Sequence, residues 1–196
     1  SHSALAYLGG LAGHATVAAA IRDEVLASFI DGLMDDAAQT LDMPAGVDLG
    51  DYRRSLLQRF RNVSLRHLTA QIAMDGSQKL PQRILAPIRE RLAQGLDIDR
   101  HAMVVAAWIR YLQGRDEHGA VLTVDDPMAA ELSAIVKSTE GSAQELAQAV
   151  LGVSAIFGRD LPMNPAFVLG VTQALQRLLC DGVGAALSTP NFARVQ

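Results

Sequence analysis

The sequence has few of the residues that build disulfide frameworks, zinc sites and nucleic-acid stacking surfaces. Its 196 residues include a single cysteine, Cys180, and only 5% are aromatic. One thiol excludes a disulfide within the chain and a zinc site built from several cysteines, and it favours a reducing compartment. We therefore expect a cytoplasmic protein, and we predict no metal ion.

Long apolar runs are missing as well. No segment approaches the roughly 18 uninterrupted apolar residues of a membrane-spanning helix, and the first residues lack a basic region followed by an apolar core. Neither a membrane span nor a signal peptide is therefore predicted. Hydrophobic residues still make up 49% of the chain, which excludes disorder and suffices for a sizeable core. We expect one domain over residues 1–196.

The usual sequence signatures of nucleotide binding and of hydrolysis are absent too. Glycines at positions 9, 10 and 13 lack the GxGxxG spacing, and no strand pattern precedes them. That motif needs a strand, a tight turn and a helix to place the dinucleotide phosphates. The patterns GxSxG, HExxH and CxxC do not occur, so the common nucleophile and metal signatures are missing.

Helical periodicity dominates what remains, and it predicts an all-α fold, a non-repeating bundle of about eight helices. Apolar residues spaced four apart predict one long helix over residues 15–41. Residues 100–113 are apolar almost all round, so we predict a buried central helix there with Asp99 as its N-cap. Ser142 and Asn164 are predicted to cap two later helices.

Two further expectations concern the ends of short helices. The apolar run at residues 3–8 is expected to end at Gly9 and Gly10. Residues 64–74 are expected to form a short helix that leads directly into a turn.

Charge is distributed unevenly along the chain, whose formal net charge is −4. Residues 51–91, called here the basic segment, contain nine basic and three acidic residues, a local balance of +6 that leaves −10 for the remainder. Such a segment favours an anionic ligand, either a carboxylate substrate or a dinucleotide phosphate. We predict no nucleic-acid partner, because aromatic residues are scarce and the acidic remainder would repel a phosphate backbone.

A ligand contact is predicted inside the basic segment, at the stretch QIAMDGSQKLPQR (residues 71–83). Asp-Gly-Ser at residues 75–77, called here the junction turn, has the residue types of a turn, and Pro81 suits the first turn of a new helix. Lys79 and Arg83 lie one helical turn apart on one face, which indicates a binding site for an anionic or polyhydroxylated ligand. In the alternative interpretation, the junction turn only caps the second helix and Lys79 is solvated.

Five histidines are available for acid–base chemistry, namely His2, His14, His67, His101 and His118. We interpret His101 and His118 as surface or capping residues, because lone histidines serve more often in that way than as catalysts. His67 follows Arg66 in the basic segment, where a contact with the ligand is the alternative to a surface position. From the residues alone, the sequence predicts a helical domain with a turn suited to anions.

Several runs of residues, taken together and in order, resemble the C-terminal domain of the mannitol dehydrogenase family, the long-chain polyol dehydrogenases. The matching runs are SHSALAYLG (1–9), RFRN (59–62), QIAMDGSQKLPQR (71–83), WIRYL (108–112), DE (116–117) and DP (126–127). The first of them resembles the family's active-site segment, entered just after its asparagine. The resemblance extends to about residue 151.

This resemblance implies a two-domain enzyme. An N-terminal Rossmann domain would bind a nicotinamide cofactor, NAD, and the helical domain would close over the substrate. Family members use a lysine as general base, an asparagine that polarises the reacting oxygen, and a histidine three positions later. Only the histidine falls in this chain, as the predicted catalytic residue His2, so we expect the chain alone to be inactive. The family also implies a monomer.

The resemblance also assigns substrate contacts. Lys79 matches the family's substrate-contacting lysine, and Gln71 stands where relatives that oxidise mannitol tend to have an arginine. The sequence of residues 65–83 is most similar to that of the D-mannonate oxidoreductases, or fructuronate reductases, whose substrate is a keto-hexuronate. Arg66, His67 and Arg83 are then candidates for binding its carboxylate. The alternatives are a mannitol, arabinitol or altronate dehydrogenase of the family, and a non-catalytic helical module that binds an anionic partner.

Overall fold

The computed structural model describes residues 1–40, 48–62, 66–139, 141–189 and 192. Across these residues the regular structure is helical, and β pairing is limited to two isolated bridges. The predicted all-α class is confirmed. Of the helices in the described ranges, none is long and apolar enough to cross a membrane.

The α-helices are numbered in chain order. They are α1 His2–Leu11, α2 Val17–Ala20, α3 Glu24–Ala38, α4 Leu49–Arg61, α5 Thr69–Ala73, α6 Gly76–Leu80, α7 Ala86–Ala93, α8 Asp99–Tyr111, α9 Ala129–Ser138, α10 Ala143–Leu151, α11 Ser154–Phe157 and α12 Pro165–Leu187. A π-helical turn, Pro81–Leu85, joins α6 to α7, and a 3-10 turn, Leu161–Met163, precedes α12.

Helix α8 lies at the centre of the core, as predicted. It packs between α1 and α12, and nearly all of its residues are buried, including Trp108 at 1% exposure. The contact with α12 is close, because a Cβ placed on Gly170 would lie 3.3 Å from the Cβ of Ala102. A helix that is apolar all round needs neighbours on every side, and the bundle supplies them.

The prediction of one helix over residues 15–41 is wrong. Two helices, α2 and α3, occupy this stretch, and the chain turns between them. Asp23 causes the break, since its Oδ1 accepts hydrogen bonds from the N–H groups of Val25 at 2.9 Å and Leu26 at 3.2 Å. The carboxylate thereby caps α3 and starts a new helix. Position 41 itself lies outside the described residues.

Two predicted helix ends are also wrong. Helix α1 continues through Gly9 and Gly10, which serve close packing, since a Cβ on Gly9 would lie 2.7 Å from the Cβ of Ala20. The helix expected over residues 64–74 is only α5, which begins at Thr69. Its N–H donates to the carbonyl of Ala15 at 3.1 Å, and an extended pairing replaces the helix just before it. Residues 63–65 lie outside the description.

Two of the three predicted caps are confirmed. Ser142 forms a capping box with Glu145 at the start of α10, and Asn164 accepts the N–H of Phe167 at 3.1 Å at the start of α12. Asp99 is not the N-cap of α8, because it is the first helical residue and Ile98 holds the cap position. The chain therefore enters α8 one residue earlier than its capping chemistry indicated.

His101 is buried, which corrects its interpretation as a surface or capping residue, and its burial makes stability depend on pH. The side chain is 2% exposed, and burial, aided by the charge of Arg91, lowers the pKa of His101 from 6.5 to about 4. As the pH falls from about 6.5 towards 4, the imidazole of the unfolded chain binds a proton that the folded chain excludes. The free energy of unfolding therefore falls.

We expect this acid-induced loss to be smaller in a His101→Phe variant. Between pH 7.5 and pH 5.5 the difference should be roughly 1 kcal/mol, because one titrating group is removed. Urea unfolding of both proteins at the two pH values measures it. An equal loss in both proteins would mean that His101 takes up its proton in the fold as readily as in the unfolded chain.

Candidate active site

The junction turn connects helices α5 and α6. Helix α5 ends at Ala73, Asp75 adopts the left-handed conformation with φ 55° and ψ 36°, and α6 begins at Gly76. A glycine is needed there for close packing, since a Cβ on Gly76 would lie 2.3 Å from Nε1 of Trp108 and 2.8 Å from the hydroxyl of Tyr7. The turn is thus packed directly against the central helix.

Pro81 does not begin a new helix, which corrects its predicted position. It is the first residue of the π-helical turn inside one continuous rod from α6 to α7, and the Ala86 N–H donates to the Pro81 carbonyl five residues back. Pro81 and Pro87 each lack a backbone donor, so the regular α-helical ladder is interrupted on both sides. Such π-turns are frequent at functional sites, and this one contains Arg83.

Asp126 braces the junction turn from a distant part of the chain. Its Oδ2 accepts the Ser77 N–H at 2.7 Å, and its Oδ1 accepts the Ser77 hydroxyl at 2.6 Å. The Asp75 N–H donates to the carbonyl of Asp125 at 2.9 Å. Asp75 makes no side-chain capping bond to α6, so the alternative in which the turn merely caps this helix does not describe it.

Lys79 is held in place by the same turn. Its Nζ donates to the carbonyls of Met74 at 2.5 Å and Ile72 at 3.4 Å, and it lies 3.8 Å from Oδ2 of Asp75. Its side chain is only 24% exposed, so Lys79 is not the freely solvated residue of the alternative interpretation. An ammonium group has three donors, and the carbonyls use two of them.

An open cavity of about 700 Å³ brings several of the predicted site residues together. We call it the junction cavity, and its lining residues are Ser1, His2, Ser3, Gln71, Ile72, Lys79, Arg83 and Ile84. Helix α1 supplies His2, α5 supplies Gln71, and the rod after the junction turn supplies Lys79 and Arg83. The His2 ring stands edge-on to Phe60 of α4, with the ring centroids 4.5 Å apart.

Arg66 and His67 are not among the residues that line the junction cavity. Both are exposed, and the His67 carbonyl accepts the Val17 N–H at 3.0 Å. His67 lies close enough to His2 to lower the pKa of that imidazole. Their assignment as carboxylate-binding residues stays a prediction.

His2 is a neutral imidazole at pH 7. Burial of part of the ring lowers its pKa from 6.5 to about 4, and the positive charges of Arg59 and Arg83 act in the same direction. A neutral imidazole donates one hydrogen bond and accepts another. It can therefore orient a hydroxyl group or donate to a developing oxyanion.

The basic segment divides into paired and unpaired arginines. Arg53 pairs with Asp31 and Asp35, and Arg54 pairs with Asp51. Arg89 pairs with Asp160 at 2.6 Å, and Arg91 pairs with Asp97 at 3.4 Å and with Asp36 at 3.9 Å. Arg83 forms no ion pair with any carboxylate of the described residues, and it lines the cavity. Among the described residues, the cavity therefore contains a guanidinium group that no carboxylate compensates.

Sequence reasoning missed two features of this site. The π-helical turn left a signal in the two prolines six residues apart, Pro81 and Pro87. The brace from Asp126 left none, because 49 residues separate it from Ser77. Locally, Asp126 accepts the Met128 N–H at 2.8 Å ahead of α9.

Comparisons with known proteins identify relatives of this all-α domain. A family model described as the mannitol dehydrogenase C-terminal domain matches residues 1–179. The D-mannonate oxidoreductase of Escherichia coli K12 is 48% identical over 91% of this chain and 36% of that protein. A mannitol 2-dehydrogenase of Phaeosphaeria nodorum is 37% identical over 96% of this chain and 32% of that protein.

A solved structure also matches the fold. It is the Pseudomonas fluorescens mannitol 2-dehydrogenase in a ternary complex with NAD and D-mannitol, with a TM-score of 0.89 and 34% identity. The match covers 95% of this chain and 37% of that one. The chain belongs to the mannitol dehydrogenase family and corresponds to its C-terminal domain, so the family predicted from the residues is confirmed. It spans just over a third of the length of the first relatives.

Proposed function

We propose that the chain is the substrate-binding C-terminal part of an NAD-dependent dehydrogenase that interconverts D-fructuronate and D-mannonate. The observation that carries the proposal is the junction cavity, in which His2 and Lys79 share a wall with the uncompensated guanidinium of Arg83. A planar guanidinium binds a carboxylate through two parallel hydrogen bonds. The similarity to a D-mannonate oxidoreductase supports the same substrate class.

The cavity residues have distinct roles in this proposal. His2 donates to or orients the reacting oxygen, Lys79 and Gln71 contact the sugar hydroxyl groups, and Arg83 binds the carboxylate. Reduction of a ketone requires an acid and donors for the developing oxyanion, and oxidation requires the corresponding base. The family resemblance assigns that acid–base group to a lysine, and the polarising group to an asparagine, that precede this chain. We propose that the chain is inactive without them.

NAD would be bound mainly by a separate N-terminal Rossmann domain. The described residues form no βαβ unit that could place dinucleotide phosphates at a helix N-terminus, and the junction cavity is open to its surroundings. When bound, NAD would accept the hydride in the oxidation, and NADH would supply it in the reduction. The residues of this chain hold the sugar facing that opening, and we propose a monomer in which the two domains close over it.

A polyol dehydrogenase of the same family is the second candidate. The solved mannitol 2-dehydrogenase with D-mannitol has the same fold at a TM-score of 0.89. A neutral polyol, however, would leave the Arg83 charge uncompensated in the cavity. A sugar acid neutralises that charge, so we favour the hexuronate.

A comparison of two ketoses tests the proposal. We expect the full-length enzyme with NADH to reduce D-fructuronate with a kcat/KM about 100-fold above that for D-fructose, since a hydrogen-bonded charge contributes up to about 3 kcal/mol. NADPH in place of NADH tests the cofactor assignment in the same assay. A preference for D-fructose would retire the hexuronate and leave the polyol dehydrogenase.

A further inference from the structure

Asp126 concentrates its hydrogen bonds on the junction turn. The carboxylate accepts the Ser77 N–H at 2.7 Å, the Ser77 hydroxyl at 2.6 Å and the Met128 N–H at 2.8 Å. It forms no ion pair with a basic residue in the described ranges, and it is not among the residues that line the junction cavity. Short bonds to an ionised oxygen are the stronger class of hydrogen bond, so the turn is firmly attached to this connection.

The turn needs such support because its backbone is strained. Asp75 is the only non-glycine residue of the described chain with a positive φ, 55°, a conformation that a side chain disfavours. The neighbouring Asp125 carbonyl accepts the Asp75 N–H at 2.9 Å. Residues 125 and 126 therefore hold the turn on both sides of Gly76.

Lys79 depends on the same turn for its position. Its N–H donates to the Asp75 carbonyl at 2.9 Å, and its Nζ donates to the Met74 carbonyl at 2.5 Å. Backbone and ammonium group are thus both bonded to the turn that Asp126 fixes. A change in the turn would move the ammonium group relative to the cavity.

We propose that Asp126 is a positioning residue that sets substrate affinity through Lys79. This inference rests on the proposed contact of Lys79 with the sugar. The carboxylate does not touch the substrate, and it acts by keeping the junction turn in the one conformation that places the lysine at the cavity wall.

The test uses Asp126→Asn in the full-length enzyme, because asparagine keeps the shape but offers only one acceptor oxygen to the turn. We expect the KM for the keto-sugar to rise about tenfold, with the KM for NADH within twofold. Asp125→Asn is the matched control, since it removes the same charge from an exposed neighbour whose contribution to the turn is its carbonyl. We expect that control to change neither KM by more than twofold.

A Lys79→Ala background separates positioning from general structural support. Lys79→Ala alone should raise the sugar KM, and adding Asp126→Asn should then raise it no further. If the two substitutions together raise the sugar KM by the product of their separate factors, the positioning role is overturned and the proposed function is left intact. No effect of Lys79→Ala alone would remove the proposed lysine contact and the inference with it. If Asp126→Asn does not fold, Ser77→Ala removes one of the bonds and should show the same pattern at smaller size.

Discussion

Replacing Arg83 with methionine in the full-length enzyme is expected to lower kcat/KM for D-fructuronate by about 100-fold and to leave that for D-fructose within about threefold. The guanidinium lines the junction cavity and has no carboxylate partner in the described structure. A hydrogen bond to a charged group contributes about 1.5–3 kcal/mol, and each 1.4 kcal/mol corresponds to a factor of ten. Methionine keeps most of the side-chain length, so the loss should report the charge and its donors.

Arg61→Met is the matched control for this experiment. Arg61 lies exposed at the end of α4, outside the cavity lining, so its replacement removes the same formal charge from the protein. Long-range attraction between exposed charges is largely screened by salt, and we expect less than a threefold change with either sugar. Equal losses for the acid and the neutral sugar in Arg83→Met would contradict carboxylate binding by this residue.

The largest expected effect on stability comes from Asp36→Asn. Asp36 is 4% exposed and lies between two arginines, of which Arg91 is 1% exposed. The Asp36 carboxylate accepts a hydrogen bond from Nη1 of Arg100 at 3.2 Å, and the Asp36 backbone carbonyl accepts one from Nη1 of Arg91 at 2.6 Å. Burial raises the pKa of Asp36, and the two arginines oppose that rise. Asparagine keeps the shape but removes this charge, which leaves Arg91 with Asp97 alone and Arg100 without a carboxylate partner among the described residues.

We expect Asp36→Asn to lower the free energy of unfolding by about 3–5 kcal/mol, the usual cost of an uncompensated buried charge. Urea unfolding monitored by circular dichroism measures it. Asp51→Asn is the comparison, because Asp51 forms an exposed pair with Arg54 and exposed pairs contribute less than about 1 kcal/mol. Similar losses in the two variants would show that water reaches the Asp36 site in the folded protein.

The sequence predicted those features that depend on neighbouring residues. The capping box at Ser142 and the cap at Asn164 were readable because their partners lie three residues away. The all-round apolar pattern placed α8 at the centre, since such a helix has no face that water can cover. The cavity composition followed less directly, because the family resemblance, and not spacing, joined His2 to Lys79.

The errors have a common physical cause, which is competition between local patterns and contacts that no local pattern contains. Apolar residues spaced four apart continue across Asp23. The Asp23 carboxylate nevertheless accepts hydrogen bonds from the N–H groups of Val25 and Leu26, and the helix is split there. Glycine is typical of helix ends, but Gly9 lies inside α1, where Ala20 approaches too closely for a larger residue.

The sequence by itself determined the helical class, the buried centre and the basic segment, because periodicity, burial and charge are properties of the residues in order. Only the tertiary structure decided which of the arginines are paired, since the carboxylate partners of Arg53 and Arg89 lie 22 and 71 residues away along the chain. It also decided the conformation of the junction turn, because the Asp126 carboxylate reaches Ser77 only once the chain has folded. Hydrogen bonds across 49 residues are set by packing, and packing is not a local property.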